Sequence, residues 1–318
     1  MPSSRDSSSR TRILQADCFQ TQPPVLLDIG ASGQLHQRWR WLARHSIGIA
    51  FDADARDFSA DTVDPRWRKL HLFNRLLAPQ RTEAADFHLT RSPHCSSALP
   101  VDTEALRPWA FNPLFEVERT VSLPAVDLPY VLQETGLDYI DWFKTDSQGT
   151  DLRLFTSLPR EVQARVLAAD FEPGIIDAYR GEDKLHRLMA YMDTMPFWVS
   201  GMTVKGSQRI GVLNLPHLSA LQRKHPESFY KTSPGWCEIS YLNRLEDGPP
   251  SERDLLLGIC FALIQDQLAF AAELARRGQA QRANPLFDAT LAAVHSRTTQ
   301  GYLRLAKNKV ISAFRRVL

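Results

Sequence analysis

The chain has 318 residues, 43% of them hydrophobic and 23% charged, enough to bury a full core as one large domain or two. A formal net charge of +2 gives no general attraction to nucleic acid, and the sequence carries no zinc-finger or RNA-binding signature, which sets that partner class aside. The four cysteines, Cys18, Cys95, Cys237 and Cys260, stand far apart without the CxxC or HxxxH spacing of a zinc site and suit a reduced, cytoplasmic setting.

The opening stretch MPSSRDSSSRTR lacks the apolar core of a signal peptide, and residues 1–19 are expected to form a disordered Ser/Arg tail. PVLLDIG then reads as a buried strand ending at Gly30. GQLHQRWRWLARH follows with helical spacing, Leu35, Trp39 and Leu42 on one face, and SIGIAFDAD is a second strand, which makes a β-α-β unit. Four more strands are expected in ADFHLT, FEVERTVSL, DYIDWFKTD and RVLAADFEP, and two helices in DLPYVLQETG and DKLHRLMAYMDTM. This alternation predicts an α/β domain over residues 20–233 with a doubly wound, mostly parallel sheet.

After about Pro234 the texture turns helical, which predicts a C-terminal extension over residues 234–318 packed on the α/β core or on a partner subunit. Ser251 and Asp254 are spaced as a capping box, Gly278 marks a stop, and Asn284 before Pro285 opens a second, short helix. The apolar run LLLGICFALIQDQLAFAAELA is interrupted at Gln265, Asp266 and Gln267, so it reads as a buried helix and no transmembrane segment is expected. KNKVISAFRRVL, with Val310, Ile311 and Phe314 on one face, reads as a docked terminal helix or as a peripheral membrane contact.

Two stretches carry chemistry. In LLDIGASGQL, Asp28, Gly30, Ala31 and Gly33 sit where the first strand turns into the next element, and small residues there let a ligand approach the backbone. The pattern is D-x-G-x-x-G where a dinucleotide fingerprint has G-x-G-x-x-G. A carboxylate at the first position repels a pyrophosphate and suits a cation, such as the sulfonium and amino group of S-adenosylmethionine. Asp52 ends the second strand about 20 residues after the glycines, where an acid bonds ribose hydroxyls.

The second stretch is DYIDWFKTDSQGTDLRLF, in which Lys144 and Asp146 are two apart on a strand and so share a face. One reading makes them an ion pair or a helix cap; the other makes Asp146 a general base with Lys144 orienting it or holding an acidic acceptor. Lys144 would also lower the basicity of the aspartate, a tension within the second reading. His94, in a Ser-rich loop, is the alternative base, and Glu172 at another strand end is a candidate for binding acceptor hydroxyls. No residue is assigned to a metal.

Taken in order, LLDIGASG, AFDAD, the stretch from Ser122 to Phe155 and LAADFEP resemble the landmarks of FkbM-type S-adenosylmethionine-dependent methyltransferases over roughly residues 20 to 200. The resemblance implies a class I methyltransferase fold and methyl transfer to an oxygen, commonly a hydroxyl of a sugar, glycan or glycosylated natural product. By the same resemblance, Asp28, Gly30 and Gly33 surround the methionine part of the cofactor and Asp52 holds its ribose. Two departures stand out: Gln148 replaces a family glutamate, and Asp52 and Asp151 are shorter than the usual glutamates. A non-catalytic binding or scaffold protein on the same fold, and an NAD-linked oxidoreductase, are the rival functions.

Overall fold

The computed structural model describes residues 11–31, 35–54, 56 and 64–314, with side chains described as far as residue 300. These fall into two compact units, Pro23–Arg244 and the two chain ends, up to Gln22 and from Leu245 onward.

The Pro23–Arg244 unit is built on a seven-stranded sheet of β1 (Val25–Ile29), β2 (Ile47–Phe51), β3 (Lys69–Phe73), β7 (Trp142–Thr145), β8 (Ala168–Phe171), β9 (Phe197–Ser207) and β10 (Ser233–Asn243), in the order β3-β2-β1-β7-β8-β10-β9. The first five in that order run parallel, and β10 lies antiparallel between β8 and β9. β1 is buried at every position, as a central parallel strand covered on both faces must be. The mostly parallel sheet expected from the sequence is therefore present.

ADFHLT and FEVERTVSL are strands, but they lie elsewhere. They belong to β5 (Thr82–Thr90) and β6 (Val117–Val126), which pair antiparallel in a separate sheet ordered β4-β6-β5 with β4 (Leu76–Leu77). Between β1 and β2 the expected α-helix is replaced by two 3-10 turns, Gln37–Trp41 and Ala43–His45. Trp39 and Leu42 are both buried and three apart, a spacing that a 3-10 turn eclipses onto one side as well as an α-helix does.

Helix α1 (Leu128–Thr135) starts where the Asp127 carboxylate accepts the Tyr130 N–H at 2.9 Å and stops at Gly136, whose φ of +71° is the left-handed cap that favours glycine. Helices α2 (Asp151–Thr156), α3 (Arg160–Arg165) and α4 (Leu185–Met192) connect the later strands. Phe143, Phe155 and Phe171, packed edge to face at 5.1 and 5.5 Å between centroids, form the rigid floor under the carboxyl ends of β7 and β8.

In the other unit, Ser251 accepts the Asp254 N–H at 3.1 Å and opens α5 (Glu252–Ile264), as its spacing predicted. The apolar run does not continue as one helix. It breaks at Asp266, whose φ is +60°, and resumes as α6 (Leu268–Gln281). Gly278 is no stop signal: it lies inside α6, where a Cβ would meet the Phe287 ring at 2.4 Å. Asn284 caps Leu286 N–H at 2.9 Å as expected, but α7 (Pro285–Phe314) is a long helix of 30 residues. The side chains of Val310, Ile311 and Phe314 lie outside the described residues. No helix among the described residues is long and apolar enough to cross a membrane.

Two expected boundaries move. Ile13, Leu14 and Phe19 are buried, and the Arg253 guanidinium donates to Gln22 O at 3.0 Å, so residues 11–19 are part of a folded unit and not of a disordered tail. The expected start of the helical extension at 234 falls inside β10, because SPGWCEISYLN alternates as a strand and the α/β unit runs on to Arg244.

Candidate functional site

β1 is flanked by β2 on one side and β7 on the other, so the chain reverses its winding direction between β1 and β7. Crevices for ligands open at such a point, outside the carboxyl ends of the strands. The register places Asp28 opposite Lys144 and Ile29 opposite Thr145. Lys144 Nζ donates to Asp28 Oδ1 at 2.7 Å, and the second oxygen of Asp28 accepts the His36 N–H at 3.0 Å. Burial disfavours the ammonium charge, but Asp28 and then Asp146 outweigh it and hold the Lys144 pKa above its usual value.

This pair corrects one expectation. Asp28 is 1% exposed, both its oxygens are engaged, and it is not among the residues lining the neighbouring cleft. It neutralises Lys144 and does not face a cationic ligand. Lys144 in turn is bound to Asp28, which frees Asp146 from a direct ion pair.

Gly30 has φ of +78°, and a Cβ there would sit 2.2 Å from the carbonyl oxygen of Asp146. The glycine is therefore required by the close crossing of the chain after β1 with the chain after β7, a reason other than ligand approach. Ala31 is buried against Ala50, its N–H bonded to Phe51 O at 3.1 Å, and so supports the turn from behind. Gly33 lies outside the described residues.

Two cavities meet at this point. The first is a narrow, half-open cleft of about 60 Å³ lined by Gly30, Phe51, Asp52, Leu77, Phe87 and Asp146 among others. Asp52 thus stands where the sequence placed it, at the mouth of β2. The second cavity is larger, about 460 Å³, and takes in His94, Asp146, Gln148, Glu172, Tyr179 and Trp236. Asp146 lines both. The predicted residues Asp52, Asp146, His94 and Glu172 are brought to one locality, with Lys144 directly behind it.

The polar turn after β7 fixes Asp146. Gln148 sits in the left-handed region at φ +56° and donates from Nε2 to Asp146 Oδ1 at 2.5 Å, while its Oε1 accepts the Tyr179 hydroxyl at 2.9 Å. An ionised glutamate could not donate to Asp146, so Gln148 supplies a donor where the family pattern has another carboxylate. Asp151 braces the same turn, accepting from Thr145 Oγ1 at 3.0 Å, Ser147 N at 3.0 Å, Ser147 Oγ at 2.5 Å and Glu172 N at 2.8 Å.

Glu172 completes the arrangement. Burial, followed by the charges of Asp146 and Asp151, pushes its carboxyl up to about 9, and burial also raises the pKa of Asp146 above the usual value. Two buried acids that oppose each other's ionisation are a device for tuning a base toward neutral pH. Among the described residues no group of three or more His, Cys, Asp and Glu side chains is placed to hold a metal ion.

Tyr179, Phe111 and Trp236, all lining the second cavity, were not singled out in the sequence. Each comes from a loop or a strand remote from Asp146, and no spacing in the chain links them.

The raised acids have a thermodynamic consequence. Asp151, pushed by burial to about 6, and Glu172, at about 9, both hold protons more tightly folded than unfolded, so folding takes up protons and stability falls as pH rises through these values. Urea unfolding is expected to give its highest midpoint at mildly acidic pH and a decline toward alkaline pH. Glu172→Gln should flatten the alkaline part of that decline; an unchanged slope in the variant would remove Glu172 as its source.

No protein-family model, no curated protein and no solved structure matches the chain, and the functional reading rests on the geometry of the site.

Proposed function

We propose that this protein is an S-adenosylmethionine-dependent O-methyltransferase that acts on a hydroxyl of a sugar, glycan or glycosylated natural product. The observation that carries the reading is the position of Asp146 at the junction of two cavities, one edged by Asp52 and the other by Glu172 and His94. A transfer reaction needs such a junction, because donor and acceptor must enter from different sides and meet in line.

The donor side suits an adenosyl group: Asp52 offers a carboxylate for ribose hydroxyls, and Phe51, Leu77 and Phe87 offer an apolar wall for a base. The cleft holds less than a whole nucleoside, so the ligand extends through its open side. The strand order also supports the reading. An all-parallel dinucleotide fold has the order 3-2-1-4-5-6, whereas here the antiparallel β10 is inserted before the last strand, which argues against NAD.

S-adenosylmethionine, held by Asp52 and the wall of Phe51, Leu77 and Phe87, would supply an electrophilic methyl group to the acceptor oxygen. The chain's own residues do the rest. Asp146 accepts the hydroxyl proton as the oxygen becomes a nucleophile, beside the carboxyl of Glu172, which burial and its acidic neighbours keep protonated. Gln148 holds the carboxylate in place, and the Lys144–Asp28 pair provides a charged but balanced support beneath it. His94, on the same cavity wall, is the second candidate for the proton.

Calorimetric titration of the full chain with S-adenosylmethionine, S-adenosylhomocysteine and NAD tests the cofactor directly. Micromolar binding of the first two, about −8 kcal/mol, is expected, with none for NAD and about tenfold weaker binding in Asp52→Ala. Absence of binding to the first two would end the methyl-transfer reading and favour a binding or scaffold role.

A further inference from the structure

We infer that the acceptor held in the second cavity carries a positive charge beside a flat apolar face, as an amino sugar does, and that anionic acceptors are turned away. This rests on the reading of that cavity as the acceptor site and goes beyond it by fixing the charge of the acceptor.

One part of the lining is a run of rings. Trp236 stacks on Phe111 with centroids 6.0 Å apart and planes inclined by 22°, Phe111 meets Phe115 edge-on at 5.1 Å, and Phe115 leans on Tyr179 at 5.7 Å. Such a wall accepts the apolar face of a sugar ring or the face-on approach of a cation. The remainder carries four carboxyl groups, Asp146, Glu172, Glu182 and Glu238. His94 is the one basic side chain among the described lining residues, which include no lysine or arginine.

Two of these acids are ion-paired, Glu182 with Lys184 Nζ at 3.0 Å and Glu238 with Lys205 Nζ at 3.3 Å, while Asp146 feels the charge of Lys144, whose own hydrogen bond goes to Asp28. Glu172 differs: the strongest charges acting on it, those of Asp146, Asp151 and Glu238, are negative. An anionic acceptor would add a further negative charge to this group. A neutral acceptor leaves Glu172 protonated. An ammonium entering the cavity supplies a balancing charge, lets the carboxyl ionise, and meets the ring wall with its neighbouring CH face.

The test is binding of three ring-matched probes to the full chain, read by calorimetry at neutral pH: methyl glucosaminide, methyl glucoside and methyl glucuronide. The amino probe is expected to bind at least about tenfold tighter than the neutral one, with the acid weakest of all. Added salt should shrink the preference, and Glu238→Gln should cut it about threefold, whereas Trp236→Ala should weaken the amino and neutral probes alike. Binding of the amino probe should also release a proton, visible as a heat that depends on the buffer.

Equal or tighter binding of the glucuronide overturns the inference, and so does failure of all three probes to bind at about 10 mM. Because the readout is binding and not methyl transfer, the two proposals fail separately. An amino preference without cofactor binding would keep the cavity's charge selectivity and discard methyl transfer; cofactor binding with an acidic preference would do the reverse.

Discussion

Gly30→Ala is expected to destabilise the α/β unit by roughly 3–5 kcal/mol, a loss read as a lower urea midpoint. Two effects add. The φ of +78° costs an L-residue about 1–2 kcal/mol, and the new methyl would lie 2.2 Å from the Asp146 carbonyl oxygen. Relief by backbone movement is blocked, because Gly30 N–H is bonded to Phe51 O at 2.9 Å and Asp146 N–H to Ile29 O at 2.9 Å. Gly136→Ala is the matching control, with φ of +71° and nothing within 4 Å, so it should show the dihedral cost of about 1 kcal/mol alone. A Gly30→Ala loss no larger than that of the control would mean that the turn relaxes and that the close crossing does not fix Asp146.

Much of the sheet could be read from the chain because β1, β2, β7 and β8 are short apolar runs that end in polar or small residues, the pattern of strands buried on both faces. β9 and β10 were not legible in the same way. Their sequences, FWVSGMTVKGS and SPGWCEISYLN, mix glycine, polar and aromatic residues, the middle of the edge strand β9 is exposed at consecutive positions, and their pairing depends on partners over 30 residues away in sequence for much of the ladder. The 3-10 turns after β1 fit the same hydrophobic spacing as the helix expected there.

At the site, local motifs correctly marked Asp52, Asp146 and Glu172 as strand-end carboxylates. What periodicity could not assign was pairing: it offered Lys144 only Asp146, two residues on along the same strand. The parallel register of β1 and β7 settles it by setting Asp28 directly across from Lys144. The role of Gln148 was equally hidden, since a donor toward Asp146 requires the left-handed backbone that only the folded turn displays.

That pairing determines what Asp146→Asn should do, on the proposed methyl transfer. Turnover on an acceptor, followed by labelled methyl, is expected to fall by about 10²–10⁴, the usual contribution of a positioned base. Stability at neutral pH should hold or rise, because the amide fills the same volume, leaves the Lys144–Asp28 bond intact and removes the charge that most strongly opposes ionisation of Glu172 after burial. With that charge gone the Glu172 pKa drops, so the alkaline decline in stability should become shallower together with the loss of turnover. A merely structural aspartate would behave differently, losing stability and activity together. Turnover within about threefold of the parent would dismiss Asp146 as the base, and a matching loss in His94→Gln would then move the proton to the imidazole.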